Sequence, residues 1–158
     1  MTKFQRFTLA LLRIGLGVIY LYAGITKLVD PSWSAAGYIK NAKTFATFYM
    51  WLATPEVLPV VNFLNTWGLM LVGLSLVVGL FVRLSSFFGI MLMVLYYFPI
   101  LAFPYVGAHS WLVDEHITYS LLLLLFIATA AGRYYGLDAW CAGLPICRRS
   151  PRLRRLFG

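Results

Sequence analysis

Charge is what this chain has least of. Only 11% of its 158 residues are Asp, Glu, Lys or Arg, and only five of them are acids. A water-soluble domain carries roughly 25%, so this composition excludes an ordinary soluble globule. Histidine and cysteine are equally scarce, with two of each. His109 and His116 fall on one side of the predicted bundle, which excludes a bis-histidine haem held across its centre. Cys141 and Cys147 are spaced C-x5-C and lack the redox C-x-x-C geometry. No phosphate-binding glycine loop and no nucleophile elbow occurs. The composition therefore indicates neither metal nor haem. The net charge of +8 does not point to nucleic acid, because Arg148, Arg149, Arg152, Arg154 and Arg155 crowd the last eleven positions. A basic tail on an apolar chain touches anionic lipid or enforces topology.

What the chain has instead is long apolar runs. A membrane-spanning helix needs about 20 mostly apolar residues. Four segments qualify: FTLALLRIGLGVIYLYAGITKL (7–28), FLNTWGLMLVGLSLVVGLFV (63–82), LSSFFGIMLMVLYYFPILAF (84–103) and WLVDEHITYSLLLLLFIATAA (111–131). None alternates apolar and polar residues as a lipid-facing barrel strand would. The first run is longer than a signal-peptide core and is followed by no small-residue cleavage pattern; Pro31 stops it. Lys3, Arg6, Arg83, Arg133 and the arginine tail fall on one side of the four spans, and the acids mostly on the other. Positive-inside then puts both termini in the cytoplasm, in a cell (inner) membrane. The predicted fold is all-α: an up-down-up-down four-helix bundle over residues 1–140, with a basic cytoplasmic tail at 141–158.

The long first outer loop carries Tyr38, Phe45, Phe48, Tyr49 and Trp51 beside Lys40 and Lys43. That pattern predicts a helix lying along the interface over 32–53, either a lid over the bundle mouth or a simple anchor. Thr54-Pro55-Glu56 predicts the start of a new helix. Gly17 with Gly24, and Ser75 with Gly79, mark faces where helices approach closely. Pro99, inside the third run, frees one backbone carbonyl.

Ionisable groups in such a chain are costly, at least about 2.5–3.5 kcal/mol each within a span. Arg13, Tyr20 and Lys27 repeat every seven residues and share a face. Arg13 either snorkels to the near interface or serves an interior role. Asp114, Glu115 and His116 open the fourth run. Consecutive helical residues point about 100° apart, so at least one turns into the bundle, with Tyr119 a turn deeper. Lys27 and Asp30, at the end of the first run, lie at the same depth. A cluster of Lys27, Asp30, Asp114, Glu115 and His116 at the outer mouth would join a cation, acids and a group that titrates near neutrality. The competing reading makes Asp114 a helix cap and His116 a partner of a backbone carbonyl. His109 would have to complete any metal site, because adjacent residues diverge on a helix.

Taken in order, Arg13-Ile14-Gly15-Leu16-Gly17, Ala23-Gly24-Ile25-Thr26-Lys27-Leu28, Pro31-Ser32-Trp33, Trp67-Gly68-Leu69, Gly79-Leu80-Phe81-Val82-Arg83 and Gly132-Arg133-Tyr134-Tyr135-Gly136-Leu137-Asp138 resemble the DoxX/DoxD-like membrane family. The resemblance runs over most of residues 10–140. It implies a four-helix membrane protein, and some family members are subunits of thiosulfate:quinone oxidoreductase. It leads to the expectation of a quinone-linked redox subunit with a sulfur oxyanion as donor. In that reading Arg13, Tyr20, Lys27, Asp30 and Tyr119 bind the substrate or quinone, and His116, Glu115 and Asp114 carry protons. The expected partners are the bilayer, a membrane quinone and a redox subunit, with oligomers open. Two alternatives stand beside it: a non-catalytic anchor or scaffold for an oxidoreductase, and a small-molecule binder or transporter.

Overall fold

The computed structural model describes residues 1–107 and 110–143. His109, Cys147 and the arginine tail, from residue 144 on, lie outside the described residues. In chain order the elements are α1 (Lys3–Val29), α2 (Ala36–Lys40), α3 (Ala46–Leu52), α4 (Leu58–Val78), α5 (Val82–Ile100), the hairpin strands β1 (Tyr105–Gly107) and β2 (Ser110–Trp111), α6 (Glu115–Thr129), a 3-10 turn (Ala131–Arg133) and α7 (Asp138–Gly143).

α1 begins earlier than the apolar run, and the reason is local. The Thr2 hydroxyl accepts the Gln5 N–H, while the Gln5 side chain accepts the Thr2 N–H. This capping box satisfies two orphan donors of the first turn and extends the helix toward Met1. α4 starts at Leu58 with a proline in its first turn. The starting role expected of Thr54-Pro55 thus passes to Pro59, and Thr54 closes a turn by accepting from Val57 and Leu58. α4 ends on Gly79, whose φ of 74° is left-handed. That conformation strongly favours glycine.

α1, α4 and α5 are long and apolar enough to cross a membrane; α6, with 15 residues, is shorter. The expected fourth span at 111–131 is therefore corrected. Its first four residues are not helical. Trp111 pairs with Tyr105 in the hairpin, and Leu112, at φ 53°, is held by Pro104 and by the Tyr97 hydroxyl. Asp114 then caps α6 by accepting from Ile117 N–H at 3.2 Å. At about 1.5 Å per residue, α6 covers roughly 22 Å of the ~30 Å hydrocarbon layer.

Neighbouring helices run antiparallel in sequence order. Gly17 lies against Leu76 and Val77, and Gly24 against Met70. A Cβ on Gly73 would stand 2.8 Å from the Gly17 carbonyl, so the α1–α4 backbones meet with no room for a side chain. Gly89 of α5 touches Val72 and Leu123, linking α4, α5 and α6. α6 meets α1 chiefly through Tyr119 and Tyr20. Leu76, Val82, Leu123 and Phe126 are fully buried at the end of the bundle nearest Arg13. The outward faces, including Val18, Leu71, Phe87, Phe88, Leu121 and Leu124, are exposed and apolar, as a lipid-facing surface requires.

The single interfacial helix expected over 32–53 is two short helices joined by a break. The break has a cause in α5. Pro99 has no N–H, so the Leu95 carbonyl loses its helical partner. The Tyr49 hydroxyl takes that carbonyl at 2.9 Å. Lys43 N–H donates to Pro99 O, the Thr44 hydroxyl to Leu101 O and the Tyr38 hydroxyl to Tyr96 O. The α2–α3 segment leaves helical geometry where it lends these donors to the end of α5. Its own small core of Ala35, Ile39 and Tyr49 rests on Leu58, Val61 and Phe98.

Candidate functional site: a polar chamber beside an apolar slot

Beneath the α2–α3 segment lies a chamber of about 460 Å³, lined by Lys27, Trp33, Ser34, Ala35, Tyr38, Asn65, Tyr96, Ile100, Glu115 and His116. α1 contributes Lys27 from its last turn. Its amine donates to the Ala23 carbonyl at 3.3 Å and stands 5.4 Å from the centre of the Trp33 ring. Among the described residues no carboxylate pairs with it, and the cation is held by a π face and a helix carbonyl. α6 contributes His116, whose Nδ1 is 2.5 Å from Asp114 Oδ2 and whose ring meets the edge of Tyr96 at 5.9 Å. Glu115 sits at the exposed rim. Burial, and then the field of Asp114, push the Tyr38 hydroxyl up to about 12, so it stays a donor to Tyr96 O.

The floor of the chamber carries unpaired polarity. The Asn65 and Tyr96 side chains lie within reach of each other, but Asn65 Oδ1 and Tyr96 Oη make no hydrogen bond of standard geometry to any described residue. Tyr20 Oη, deeper and only 1% exposed, is also unpartnered; its ring packs 6.4 Å from that of Tyr119. A buried polar atom left without a partner costs about 1–3 kcal/mol. Asn65 and Tyr96 both line the chamber, where a bound group could complete their bonding.

Next to the chamber is a slot of about 190 Å³, walled almost entirely by apolar atoms. It shares Ala35, Tyr38, Asn65 and Tyr96 with the chamber. Its other walls include Phe48, Leu64 and Leu95, which are exposed on the outer surface of the helices. Polar chamber and apolar slot are thus adjacent, with four wall residues in common.

The structure brings together Lys27, Glu115, His116 and, through His116, Asp114. Tyr20 and Tyr119 lie below them. Two expected site residues are elsewhere. Asp30 is exposed and turned onto Ser32, whose N–H and hydroxyl it accepts at 2.9 and 2.6 Å; these bonds hold its carboxyl below its ordinary range. The geometry after Val29 favours this local turn over a reach into the bundle.

Arg13 is at the other end of α1, about 21 Å from Lys27 at 1.5 Å per residue, and neither snorkels nor faces the chamber. It is completely buried and donates to the Tyr135 carbonyl at 3.2 Å. Gly79 and Gly136 wall its guanidinium. Asp138 lies within its electrostatic reach and accepts Phe81 N–H at 2.7 Å and Val82 N–H at 3.2 Å. An acid from α7 therefore caps α5. Burial lifts the Asp138 carboxyl above its ordinary range, against the pull of those two N–H groups and of Arg13.

Asn65, Tyr96, Tyr38 and Trp33 are the chamber residues that sequence reasoning did not single out. Asn65 carried a signal, because it is an amide inside an apolar run. The tyrosines did not, since tyrosine is common wherever membrane meets water.

A family model described as DoxX matches residues 8–101. No curated protein and no solved structure matches the chain. The matched stretch holds Lys27, Trp33, Tyr38, Asn65 and Tyr96, whereas α6 with His116 and α7 with Asp138 follow it. With more than half of the chain inside that match, and three helices able to cross a membrane, this is a membrane protein of the DoxX family.

Proposed function

We propose that the protein is a quinone-linked redox subunit whose recess holds a lipid-soluble quinone. The observation that carries this reading is the adjacency of a polar and an apolar cavity with shared walls. A quinone joins a ring bearing two carbonyl acceptors to an apolar tail. The chamber offers ring-sized space with the Tyr96 hydroxyl and the Lys27 amine as donors. The slot offers an apolar path from that space toward the exposed Leu64 and Leu95. The α2–α3 roof keeps bulk water off one side of the ring. Bound quinone supplies the electron-accepting chemistry; Lys27 and Tyr96 orient the carbonyls, and His116 and Glu115 stand where protons are exchanged. Electrons then come from a partner redox subunit, with a sulfur oxyanion as the donor class that Lys27 would attract.

In this reading the four helices cross in up-down-up-down order. Both termini face the cytoplasm and the chamber faces outward, with α2 and α3 at the interface. The fully buried Leu76, Val82, Leu123 and Phe126 block the bundle below Tyr20. That favours a one-ended binding site over a transport path.

The test is direct. Protein purified in native-lipid discs is extracted and its quinone quantified, and a decyl benzoquinone is titrated against Trp33 fluorescence with Trp33→Phe as control. Near-stoichiometric quinone and saturable quenching are expected. Quinone-free discs with no saturable quenching would refute the proposal.

A further inference from the structure

Asp114 uses its two oxygens for different purposes. Oδ1 accepts Ile117 N–H and caps α6, while Oδ2 faces His116 Nδ1 at 2.5 Å. An ionised carboxylate only accepts hydrogen bonds, so the proton between them belongs to Nδ1. A neutral imidazole has one N–H, and Nε2 is then the acceptor. Nε2 has no hydrogen-bond partner among the described residues. The ring has one further contact, with Tyr96, which it meets edge-on at 5.9 Å. The charged and titratable groups sharing the chamber are Lys27 from α1, Tyr38 from α2, Tyr96 from α5 and Glu115 from α6, with Asn65 from α4. Lys27, Tyr38 and Tyr96 bring donors. The His116 nitrogen differs from them in presenting a fixed lone pair.

We infer that Asp114, by setting the tautomer of His116, makes the chamber select the hydroquinone form of its ligand over the quinone form. The inference rests on the quinone reading above. Both forms accept from the Lys27 amine and the Tyr96 hydroxyl. Only the hydroquinone has an O–H to donate to Nε2, and a quinone carbonyl there would face lone pair against lone pair. Asp114 is a positioning residue in this scheme, and His116 is the group that touches the ligand.

Asp114→Asn separates this role from the structural one. Asparagine still caps α6 through Oδ1, but its amide N–H now faces Nδ1. Nδ1 becomes the acceptor, the proton moves to Nε2, and the preference reverses. Decyl benzoquinone and its hydroquinone are titrated anaerobically against Trp33 fluorescence in lipid discs. The wild-type protein is expected to bind the hydroquinone about threefold to tenfold more tightly, the worth of one hydrogen bond. Asp114→Asn is expected to favour the quinone by a similar factor. Equal binding by the wild-type protein, or an unchanged preference in the variant, overturns the inference while leaving the quinone reading intact. Binding of neither form by the wild-type protein overturns both. A second measurement does not depend on the variant folding. Long-range ¹⁵N–¹H spectra of histidine-labelled His109→Gln protein, in which His116 is the remaining histidine, are expected to show Nδ1–H. An Nε2–H signal overturns the proposal.

Discussion

The two ends of this helix bundle solve the problem of buried polarity in opposite ways. At one end Arg13 and Asp138 are 0% and 1% exposed. Glycine backbones close tightly around the guanidinium, and the carboxylate is spent on the N–H groups of Phe81 and Val82. Arg13 Nε and Nη1 also lack a hydrogen-bond partner among the described residues, but Gly79 and Gly136 crowd Nη1 and leave a ligand no room beside it. At the other end Lys27, Asn65, Tyr96 and His116 surround empty volume, and several of their hydrogen-bonding atoms are unused. The lesson is that burial of polar groups does not by itself mark a site. A site needs polarity together with space. The Arg13 end has polarity alone and ties α1 to the segment that follows the 3-10 turn; the Lys27 end has both.

This comparison predicts that the two ends respond differently to substitution. The largest loss is expected at the closed end. Arg13→Ala removes the cation near a buried carboxylate and should cost about 3 kcal/mol. Gly79→Ala forces a side chain into a left-handed position occupied by Arg13, with a loss of about 2 kcal/mol or more. Unfolding in mixed detergent micelles measures both. If either variant is as stable as the parent but loses quinone, the assignment of that end as structural is wrong.

The roof of the chamber should show an intermediate and conditional effect. Tyr49→Phe leaves the Leu95 carbonyl without its donor and is expected to cost about 1 kcal/mol. Pro99→Ala returns an N–H to α5, so the pair Pro99→Ala and Tyr49→Phe should lose less than the sum of the two single changes. Strict additivity in that cycle would show that Tyr49 does not serve the carbonyl freed by Pro99.

The smallest stability effects belong to the open end. Tyr96→Phe removes an unpaired buried hydroxyl and should leave unfolding within about 0.5 kcal/mol of the parent, while weakening decyl benzoquinone about threefold to tenfold. Glu115→Gln, at the exposed rim, should also change stability by less than about 0.5 kcal/mol. Strong destabilisation by Tyr96→Phe would mean that the chamber floor is packing rather than a binding surface.

Much of this architecture was legible one residue at a time. The apolar runs located α1, α4 and α5 because hydropathy acts on every residue independently of its neighbours in space. Gly17 and Gly24 were readable as contact points because their spacing puts them on one helical face. Tyr119, a turn deeper than His116, was readable for the same reason, and both are at least half-buried on the inner side. The start of α6 was misread because Trp111 and Leu112 are apolar enough for a helix, yet hairpin pairing and the Tyr97 hydroxyl claim their backbone. The interfacial helix was misread as continuous because the demand that breaks it comes from α5, far away in sequence.

Sequence alone thus determined that the chain resides in lipid, where its long helices lie, and that Lys27 and the Asp114–His116 stretch sit at corresponding ends of their helices. These follow from composition and helical periodicity, which are local. Tertiary structure alone decided that Arg13 is sealed beneath Gly79 and Gly136 within the field of Asp138, that Asp30 turns away, and that Asn65 and Tyr96 line a cavity. Those outcomes depend on which backbones approach closely enough to exclude a side chain and where packing leaves a void, and neither is a property of any single segment.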